Sequence, residues 1–191
     1  FQGFSGPAGG ARLFQPAPVI GTPRSDDTWW DKLLKVLVEW AWEPSRWQRV
    51  DAAGKSFSIT LSRFDAVAAQ LVHLLDQALP GFNFSRITIN RYRARLWNSI
   101  LFHDDLGNVG DAMLAVLGRF TGGLTIWADG AVNRETRRWV RSNGHIPHGT
   151  TPVESGERYS IIVYTLVNDY GGATPFDVAR EVKRRVAREL P

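Results

Sequence analysis

The sequence predicts an α+β domain whose β half is a sandwich or a barrel. Two amphipathic helical patterns precede Pro80, whereas the segments after it alternate apolar and polar residues with the period of two that is typical of half-buried strands. Short clusters of Gly, Asn, Asp and Ser separate these segments, as expected of turns. Helices first and many short strands afterwards indicate segregated α and β parts rather than alternating βαβ units.

The composition is that of a globular protein and narrows the kinds of site the chain can carry. With 191 residues, 43% hydrophobic and 22% charged, the chain can bury a sizeable core. Lys and Arg number 23 against 19 Asp and Glu, and the pI is about 9.8, which is compatible with DNA or RNA as a partner. Runs of charge are more often solvated surface, however.

The lack of cysteine excludes disulfides, zinc knuckles and thiol nucleophiles. No apolar run is long enough for a membrane span, so no membrane partner is expected. The absence of cysteine and of an export signal favours an intracellular location, the nucleus included.

The chain divides into an arm and one domain. Residues 1–24 are rich in Gly, Pro and Ala and are expected to be a flexible arm or linker, beginning with Phe1-Gln2-Gly3 as the remnant of a cleaved tag. Residues 25–191 are expected to form a single domain. Within it we predict supporting helices over 25–80, a β core over 84–167 and a C-terminal amphipathic helix over 175–190.

Two helices are predicted before Pro80. The first follows a cap at Ser25-Asp26-Asp27 and ends near Glu43-Pro44, with an apolar face of Trp29, Trp30, Leu33, Leu34, Leu37 and Trp40. The second begins at a capping box, Ser62-x-x-Asp65, and runs to Leu79. Its predicted buried stripe is Phe64, Val67, Leu71, Leu74, Leu75 and Ala78, with His73 beside it as a structural or solvated residue.

Six strands are predicted after Pro80, at 87–92, 97–102, 112–117, 124–127, 138–140 and 159–166. The first of these, Ile87–Tyr92, alternates apolar with polar residues, so its even-numbered side chains share one face.

A group of possible metal ligands lies at the end of one predicted strand. In an extended segment residues i and i+2 point to the same side, so His103 and Asp105 can present an imidazole and a carboxylate together while Asp104 points away. A second imidazole can come from His145 or His148. Two His and one carboxylate leave open positions on a non-haem Fe(II) ion, although the same ligands also suit zinc.

Four motifs in a fixed order resemble the Fe(II)- and 2-oxoglutarate-dependent dioxygenases. His103-x-Asp105 resembles their H-x-D, Arg158-Tyr159-Ser160 their R-x-S, and Asn90-Arg91-Tyr92 the N-x-Y of AlkB-type oxygenases. Residues 117–124 (LGRFTGGL) are similar to a Gly-Gly turn of H-x-D oxygenases, including the TET/JBP and prolyl-hydroxylase branches, and would allow positive φ.

The resemblance implies a double-stranded β-helix of jelly-roll or cupin type and assigns roles to the motif residues. His103, Asp105 and His148 would bind Fe(II). His148 is preferred to His145 because Arg158 lies ten positions beyond it, the spacing that the family shows. Arg158, Ser160, Asn90 and Tyr92 would bind 2-oxoglutarate, O2 would be the oxidant, and ascorbate the reductant.

The resemblance leaves the substrate open. The basic pI favours oxidation of a nucleic-acid base, such as a 5-methylpyrimidine or an alkylated base. The residues named for such a substrate are Asn108, Arg91, Arg93, Trp97 and His145. Asn108 beside Gly107 is also typical of a turn, and Trp97 and Trp127 of core packing. The alternatives are a prolyl-type protein hydroxylase acting on a peptide, a small-molecule oxygenase and a non-enzymatic binding module.

Overall fold

The computed structural model describes residues 26–40, 48–50, 56–94 and 100–170. The predicted arm, the predicted C-terminal helix and Trp97 lie outside the described residues. The elements, in chain order, are α1 Asp27–Glu39, β1 Gln48–Val50, β2 Ser56–Ser62, a 3-10 helix Ala66–Ala68, α2 Ala69–Ala78, β3 Arg86–Arg93, β4 Ile100–His103, β5 Ala112–Gly122, β6 Thr125–Trp127, β7 Val132–Asn133, β8 Trp139–Ser142, β9 His148–Thr150, β10 Val153–Tyr164 and a second 3-10 helix Val167–Tyr170.

The strands form two antiparallel sheets. The major sheet has the order β1-β2-β3-β10-β5-β8, and the minor sheet has the order β4-β9-β6-β7. Neighbours in space are mostly distant in sequence, as β10 between β3 and β5 shows. This arrangement confirms the predicted jelly-roll fold with its flanking helices. None of the helices in the described segments has the length and apolar character needed to cross a membrane.

The alternation of residues along the central strands of the major sheet separates two cores. Ile87, Ile89, Leu117, Tyr159 and Ile161 point outward and pack with the buried residues of the two helices. Leu114 and Val116 point the other way and pack with Trp127 and Ala131 at the minor sheet. The helices therefore cover the outer face of the major sheet, and the candidate site residues described below lie on its inner face.

Helix α1 begins as predicted but is shorter. The Asp26 carboxylate accepts a hydrogen bond from the Trp29 backbone N–H at 2.9 Å, the bond expected of an N-cap. Trp29 and Trp30 pack against Trp139 of β8, which fixes the helix on the major sheet. The helix ends at Glu39, several residues before the predicted end at Glu43-Pro44.

The predicted stripe of the second helix is right only in its second half. Leu71, Leu74, Leu75 and Ala78 are buried, but Phe64 is 83% and Val67 70% exposed. The chain is not helical at Phe64, and it forms a 3-10 helix over 66–68 before the α-helix begins. Because a 3-10 helix has three residues per turn instead of 3.6, the α-helical stripe cannot be extended back through it.

The capping box at Ser62 is half formed. The Asp65 carboxylate accepts from the Ser62 backbone N–H at 2.8 Å, as the motif requires. The Ser62 hydroxyl, however, accepts from the Phe64 N–H at 3.2 Å rather than from Asp65.

Strands β1 and β2 were not predicted, because the region over 25–80 was assigned to helices alone. β2 pairs along its whole length with β3, from Ser56 opposite Tyr92 to Ser62 opposite Arg86, and widens the major sheet. The signal was present in the sequence. Ser56–Ser62 (SFSITLS) alternates polar and apolar residues without a break, the pattern of a half-buried strand.

Candidate metal centre and co-substrate pocket

Strands β4 and β9 place two imidazoles opposite each other. His103, the last residue of β4, pairs in register with His148, the first residue of β9. Residues directly opposite on antiparallel strands share a face, and the two rings have their centroids 4.6 Å apart. Asp105 lies two residues after His103, and its carboxylate is close to both rings.

The three side chains can surround one cation. The His103 Nε2 atom is 3.8 Å from Asp105 Oδ1, and His148 Nε2 is 3.7 Å from Asp105 Oδ2. One ligand atom from each residue lies within 4.8 Å of the other two. The structure thus brings together His103, Asp105 and His148, and it leaves His145 outside this group.

A hydrogen bond orients the His148 ring. Its Nδ1 lies 2.9 Å from the carbonyl oxygen of Ile146, which can only accept, so Nδ1 carries the proton. The Nε2 lone pair then faces Asp105 and is available to a metal ion. A ligating histidine is commonly fixed by a hydrogen bond of this kind from its other nitrogen.

A second polar group lies on the inner face of the major sheet. In the pairing of β10 with β3, Arg158 is opposite Tyr92 and Ser160 is opposite Asn90, so the four side chains share one face. All four are buried, and the Asn90 amide donates to the Ser160 hydroxyl at 3.2 Å. The structure therefore assembles the four residues predicted to bind 2-oxoglutarate.

Arg158 is a buried cation whose hydrogen bonding is incomplete. Its side chain is 1% exposed, and Nη2 donates to the Thr125 hydroxyl of β6 at 3.0 Å. The guanidinium also lies over the Tyr92 ring, with 5.1 Å between its carbon and the ring centroid. Among the residues that the structure describes, Nε and Nη1 have no hydrogen-bond acceptor.

Burial lowers the pKa of the Arg158 guanidinium, because the charged form loses its hydration. Leaving N–H groups of a buried charge unpaired is costly, and a guanidinium is shaped to bind a carboxylate through two parallel hydrogen bonds. The two nitrogen atoms without an acceptor could therefore bind an anion such as a carboxylate.

Two further unpaired donors lie between the sheets. The Tyr92 side chain is 2% exposed, and its hydroxyl has no hydrogen bond of good geometry to the described residues, although the Thr150 and Ser160 side chains are close. Burial raises the pKa of Tyr92 to about 12, against the opposing charge of Arg158, so the phenol stays neutral and can donate. The Asn133 side-chain oxygen Oδ1 accepts from the Glu135 backbone N–H, which leaves the buried side-chain nitrogen Nδ2 as a donor with no acceptor in the described chain.

The minor sheet connects the two polar groups. Thr125 pairs with Thr150 and Trp127 with His148, so these four side chains share one face. Thr125 contacts Arg158, and His148 belongs to the possible metal group. A continuous surface thus leads from the metal group to the guanidinium.

The predicted Gly-Gly turn makes room for Arg158. Gly122 and Gly123 have φ values of 71° and 61°, as predicted. A Cβ atom at Gly123 would lie 2.8 Å from Cδ of Arg158 and 2.9 Å from Cγ2 of Val153. A larger residue at position 123 would therefore have to displace the Arg158 side chain.

Arg91 and Arg93, which were predicted to contact a nucleic-acid substrate, point away from the candidate site. Asn90 and Tyr92 point between the sheets, so the alternate residues of β3 point to the outer face. There the Nε atoms of Arg91 and Arg93 both donate to Glu157 Oε1, at 2.8 Å and 2.6 Å. Tyr159 completes this outer network through a hydrogen bond to Glu157 Oε2.

The other residues named for substrate are placed as follows. Asn108 is buried and forms a backbone bridge with Leu166, and its carbonyl oxygen lies 3.0 Å from His145 Nε2. Trp127, which the sequence indicated as a packing residue and not as a substrate residue, is buried in the inner core. Thr125 and Asn133 were not predicted as site residues. For Thr125 a signal existed, because it is a polar residue two positions before Trp127 in a predicted strand.

Comparison with known proteins gives a likeness in structure alone. No family model and no curated protein matches the sequence. A 2OG-Fe(II) oxygenase-family oxidoreductase from Burkholderia pseudomallei superposes with a TM-score of 0.54 at 17% identity, over 70% of this chain and 76% of that one.

Two further solved structures align less closely. NgTET1 in complex with 5mC DNA has a TM-score of 0.42 at 12% identity, over 65% of this chain and 56% of that one. A viral collagen prolyl hydroxylase from Paramecium bursaria Chlorella virus-1, in complex with 2OG, has a TM-score of 0.48 at 12% identity. The alignment covers 73% of this chain and 89% of that one. With the Burkholderia superposition and the two-sheet topology, the chain has the fold of the 2-oxoglutarate- and Fe(II)-dependent oxygenases.

Proposed function

We propose that this protein is an Fe(II)- and 2-oxoglutarate-dependent dioxygenase that oxidises a C–H bond. The observation that carries the proposal is Arg158, a buried guanidinium with two unpaired donors on the same internal surface as a His-Asp-His group. Neither feature alone specifies the reaction. Together they fit a dicarboxylate bound between a metal ion and a guanidinium.

The residues present fit both groups. His103, Asp105 and His148 would hold Fe(II), since two imidazoles and one carboxylate leave positions free for other ligands. Arg158 and Tyr92 would hold the far carboxylate of 2-oxoglutarate with their unpaired donors. The positive charges of Fe(II) and Arg158 would balance the negative charges of Asp105 and of the two 2-oxoglutarate carboxylates. No uncompensated charge would then remain in the interior.

A zinc hydrolase would use the same three ligands but would leave Arg158 and Tyr92 without a purpose. The unpaired Arg158 donors favour the binding of an anion, whatever the metal is. The co-substrate pocket is therefore what favours an oxygenase over a hydrolase.

When bound, Fe(II) with 2-oxoglutarate and O2 supplies the oxidant for a C–H bond, with succinate and CO2 as the other products. The protein's own residues bind and orient. Thr125 holds one side of the guanidinium, the Ile146 carbonyl holds the His148 ring, and the neutral Tyr92 phenol donates without adding charge. The surrounding sheets exclude water from the Arg158 end, which strengthens its interaction with a carboxylate.

For the substrate we propose a nucleic-acid base as the first class to test, on the strength of the excess of Lys and Arg and the pI of about 9.8. Arg91 and Arg93 no longer support this choice, because they are paired with Glu157 on the outer face. A prolyl-type protein hydroxylase is the alternative. Succinate release stimulated by DNA or RNA, and weakened by salt, would favour the first, and stimulation by proline-containing peptides would favour the second.

An uncoupled turnover assay tests the reaction class. The protein is incubated with Fe(II), 2-oxoglutarate, O2 and ascorbate, and succinate is measured. We expect succinate from the wild type, none from His148→Ala, and turnover by His145→Ala once Fe(II) is saturating. Wild-type protein that makes no succinate beyond the metal-only background, with or without nucleic acid or peptide, would exclude the proposed function.

A further inference from the structure

The five residues Asn143–Pro147 connect β8 to β9 and form a compact turn, which we call the clamp loop. The Asn143 side-chain oxygen accepts from the His145 N–H at 3.0 Å, and its backbone oxygen accepts from the Ile146 N–H at 3.2 Å. The loop is thus shaped by its own first residue, through a side-chain hydrogen bond typical of an Asx-turn.

One side of the clamp loop holds the segment that carries Asp105. The Asp105 N–H donates to the Gly144 carbonyl at 2.8 Å. The His145 Nε2 atom lies 3.0 Å from the carbonyl oxygen of Asn108, which can only accept, so His145 is the donor. Because the Asn108 N–H donates in turn to the Asp105 carbonyl at 2.9 Å, the clamp loop holds both ends of this short turn.

The other side of the clamp loop holds His148. The Ile146 carbonyl accepts from His148 Nδ1 at 2.9 Å and so sets the ring orientation. The Pro147 carbonyl accepts from the Ala128 N–H at 2.8 Å, which ties the loop to the end of β6. Two of the three possible metal ligands, from separate parts of the chain, are therefore positioned by the same five residues.

At Gly144 the clamp loop lies very close to the segment that carries Asp105 and Asn108. A Cβ atom at this position would lie 2.8 Å from the Asn108 amide nitrogen and 3.0 Å from the Asp105 Cβ atom. The first contact is shorter than real Cβ atoms show, and the second is tighter than most of their contacts, so a neighbour would have to move. The approach of the clamp loop to Asp105 thus depends on the absence of a side chain at Gly144.

We propose that Gly144 and His145 are positioning residues for the metal centre. They hold Asp105 at the distance from His148 that a single cation requires, and His145 acts through the Asn108 carbonyl rather than as a ligand. This inference rests on the proposed function. It adds that metal affinity is set by a loop whose tip touches neither the ion nor the co-substrate.

The test is a titration with Co(II) alone, followed by visible absorption, without 2-oxoglutarate. Partners of metal ligands typically change metal affinity by about 10- to 100-fold when removed, and we expect a loss in that range for Gly144→Ala and for His145→Leu. His145→Gln keeps a donor of similar reach and should stay within about threefold of the wild type, with an unchanged spectrum.

Gly107→Ala is the matched control, because Gly107 is in the adjacent turn and a Cβ there would meet only Leu166 Cδ2, at an ordinary 3.5 Å. Circular dichroism and Tm establish folding for every variant. If Gly144→Ala does not fold, the comparison of His145→Leu with His145→Gln decides.

Wild-type affinity in both His145 variants, or an equal loss in both, would overturn the inference while leaving the proposed function intact. A wild type that binds no Co(II) would overturn the proposed function and the clamp with it.

Discussion

The Arg158 side chain combines near-complete burial with two donor nitrogen atoms, Nε and Nη1, that have no acceptor among the described residues. The hydrogen bond to Thr125 uses Nη2 and leaves Nε and Nη1 without an acceptor in the described segments. A buried ion of this kind destabilises the folded protein unless it is paired, so a folding role is a poor explanation for it. Binding of the proposed co-substrate carboxylate would pair this charge.

Replacing Arg158 with Met should separate ligand binding from stability. Each charge-assisted hydrogen bond contributes about 1.5–3 kcal/mol, so losing two should weaken 2-oxoglutarate binding by about 100-fold or more. The Tm without ligand should stay the same or rise, because an unpaired buried charge is removed.

Calorimetric titration of Arg158→Met in the presence of Mn(II) measures the first effect and a thermal melt the second. Arg141→Met is the control, since Arg141 is partly exposed and lies 3.5 Å from Asp111 on the protein surface. A variant that binds 2-oxoglutarate as tightly as the wild type would remove Arg158 from the site.

Most of the site residues could be predicted because they lie in motifs with fixed spacing, such as His103-x-Asp105 and Arg158-x-Ser160. Thr125 and Asn133 were missed. Thr125 had only the weak signal of a polar residue in a predicted strand, and Asn133 had none, because both acquire a role through pairing with distant strands. The sequence alone left His145 and His148 as alternatives, and the resemblance favoured His148. The structure brings His148 into the metal group by its pairing with His103.

At the level of elements, neighbouring residues of β10 lie on opposite faces of the sheet and so have different roles. Arg158 points between the sheets, while Glu157 points outward and accepts hydrogen bonds from Arg91, Arg93 and Tyr159. Burial and the hydrogen bond to Glu157 raise the pKa of Tyr159, so this phenol remains a donor. The outer network therefore joins β3 to β10 without contributing to the pocket.

Glu157→Gln should lower the stability of the folded protein and leave the affinity for 2-oxoglutarate nearly unchanged, the reverse of what we expect for Arg158→Met. Weakening a partly buried, charge-assisted network should lower the free energy of unfolding by about 1–3 kcal/mol. Urea denaturation measures this change. The affinity for 2-oxoglutarate in the presence of Mn(II) should remain within about threefold of the wild type, which is a change of less than about 0.7 kcal/mol in binding free energy. A large loss of affinity with unchanged stability would contradict the assignment of faces.

An ion pair between Arg86 and Asp169 stabilises the end of the major sheet and makes the stability of the folded protein depend on pH. Arg86, at the start of β3, donates through Nε to Asp169 at 2.9 Å. This hydrogen bond holds the pKa of the Asp169 carboxyl below its ordinary value of 3.8, although burial acts the other way. Since the folded-state pKa is lowered, the stabilisation is present above 3.8 and is lost as the pH falls through the folded-state value.

Asp169→Asn should therefore lower the stability of the protein at neutral pH but not in acid. We expect a deficit of about 1–2 kcal/mol at pH 7 for this partly buried pair. Denaturant titrations between pH 7 and pH 2 should show the curves of variant and wild type converging below about pH 4. A deficit that is constant across this range would mean that the ion pair contributes no stability.

The strand elements were predictable where the alternation was long, as in β3, but their ends were not. β5 and β10 run past their predicted bounds to Gly122 and back to Val153, because each strand continues as long as a partner is present. The 3-10 segment before α2 had no periodic signal that separates it from an α-helix. Tertiary pairing, rather than local propensity, sets these boundaries.

At the scale of the whole molecule, the two sheets enclose a surface with a metal group at one end and a guanidinium at the other. The sequence predicted a sandwich or a barrel and the resemblance implied a jelly roll, but neither predicted the strand order, because the pairs β3-β10 and β4-β9 join segments far apart in the chain. Only that order brings His148 and Arg158 to the same interior.

This arrangement predicts that metal and co-substrate bind cooperatively. A dicarboxylate held by Arg158 at one end and by the ion at the other gains affinity when both are present, and the gain must be reciprocal.

The most direct test measures the affinity for 2-oxoglutarate with and without Mn(II), for the wild type and His148→Ala, under anaerobic conditions. We predict that Mn(II) strengthens binding to the wild type by at least about tenfold, or about 1.4 kcal/mol, and has little effect on His148→Ala. Equal wild-type affinities with and without the metal would show that the His-Asp-His group and Arg158 do not act on one ligand, and would contradict the account.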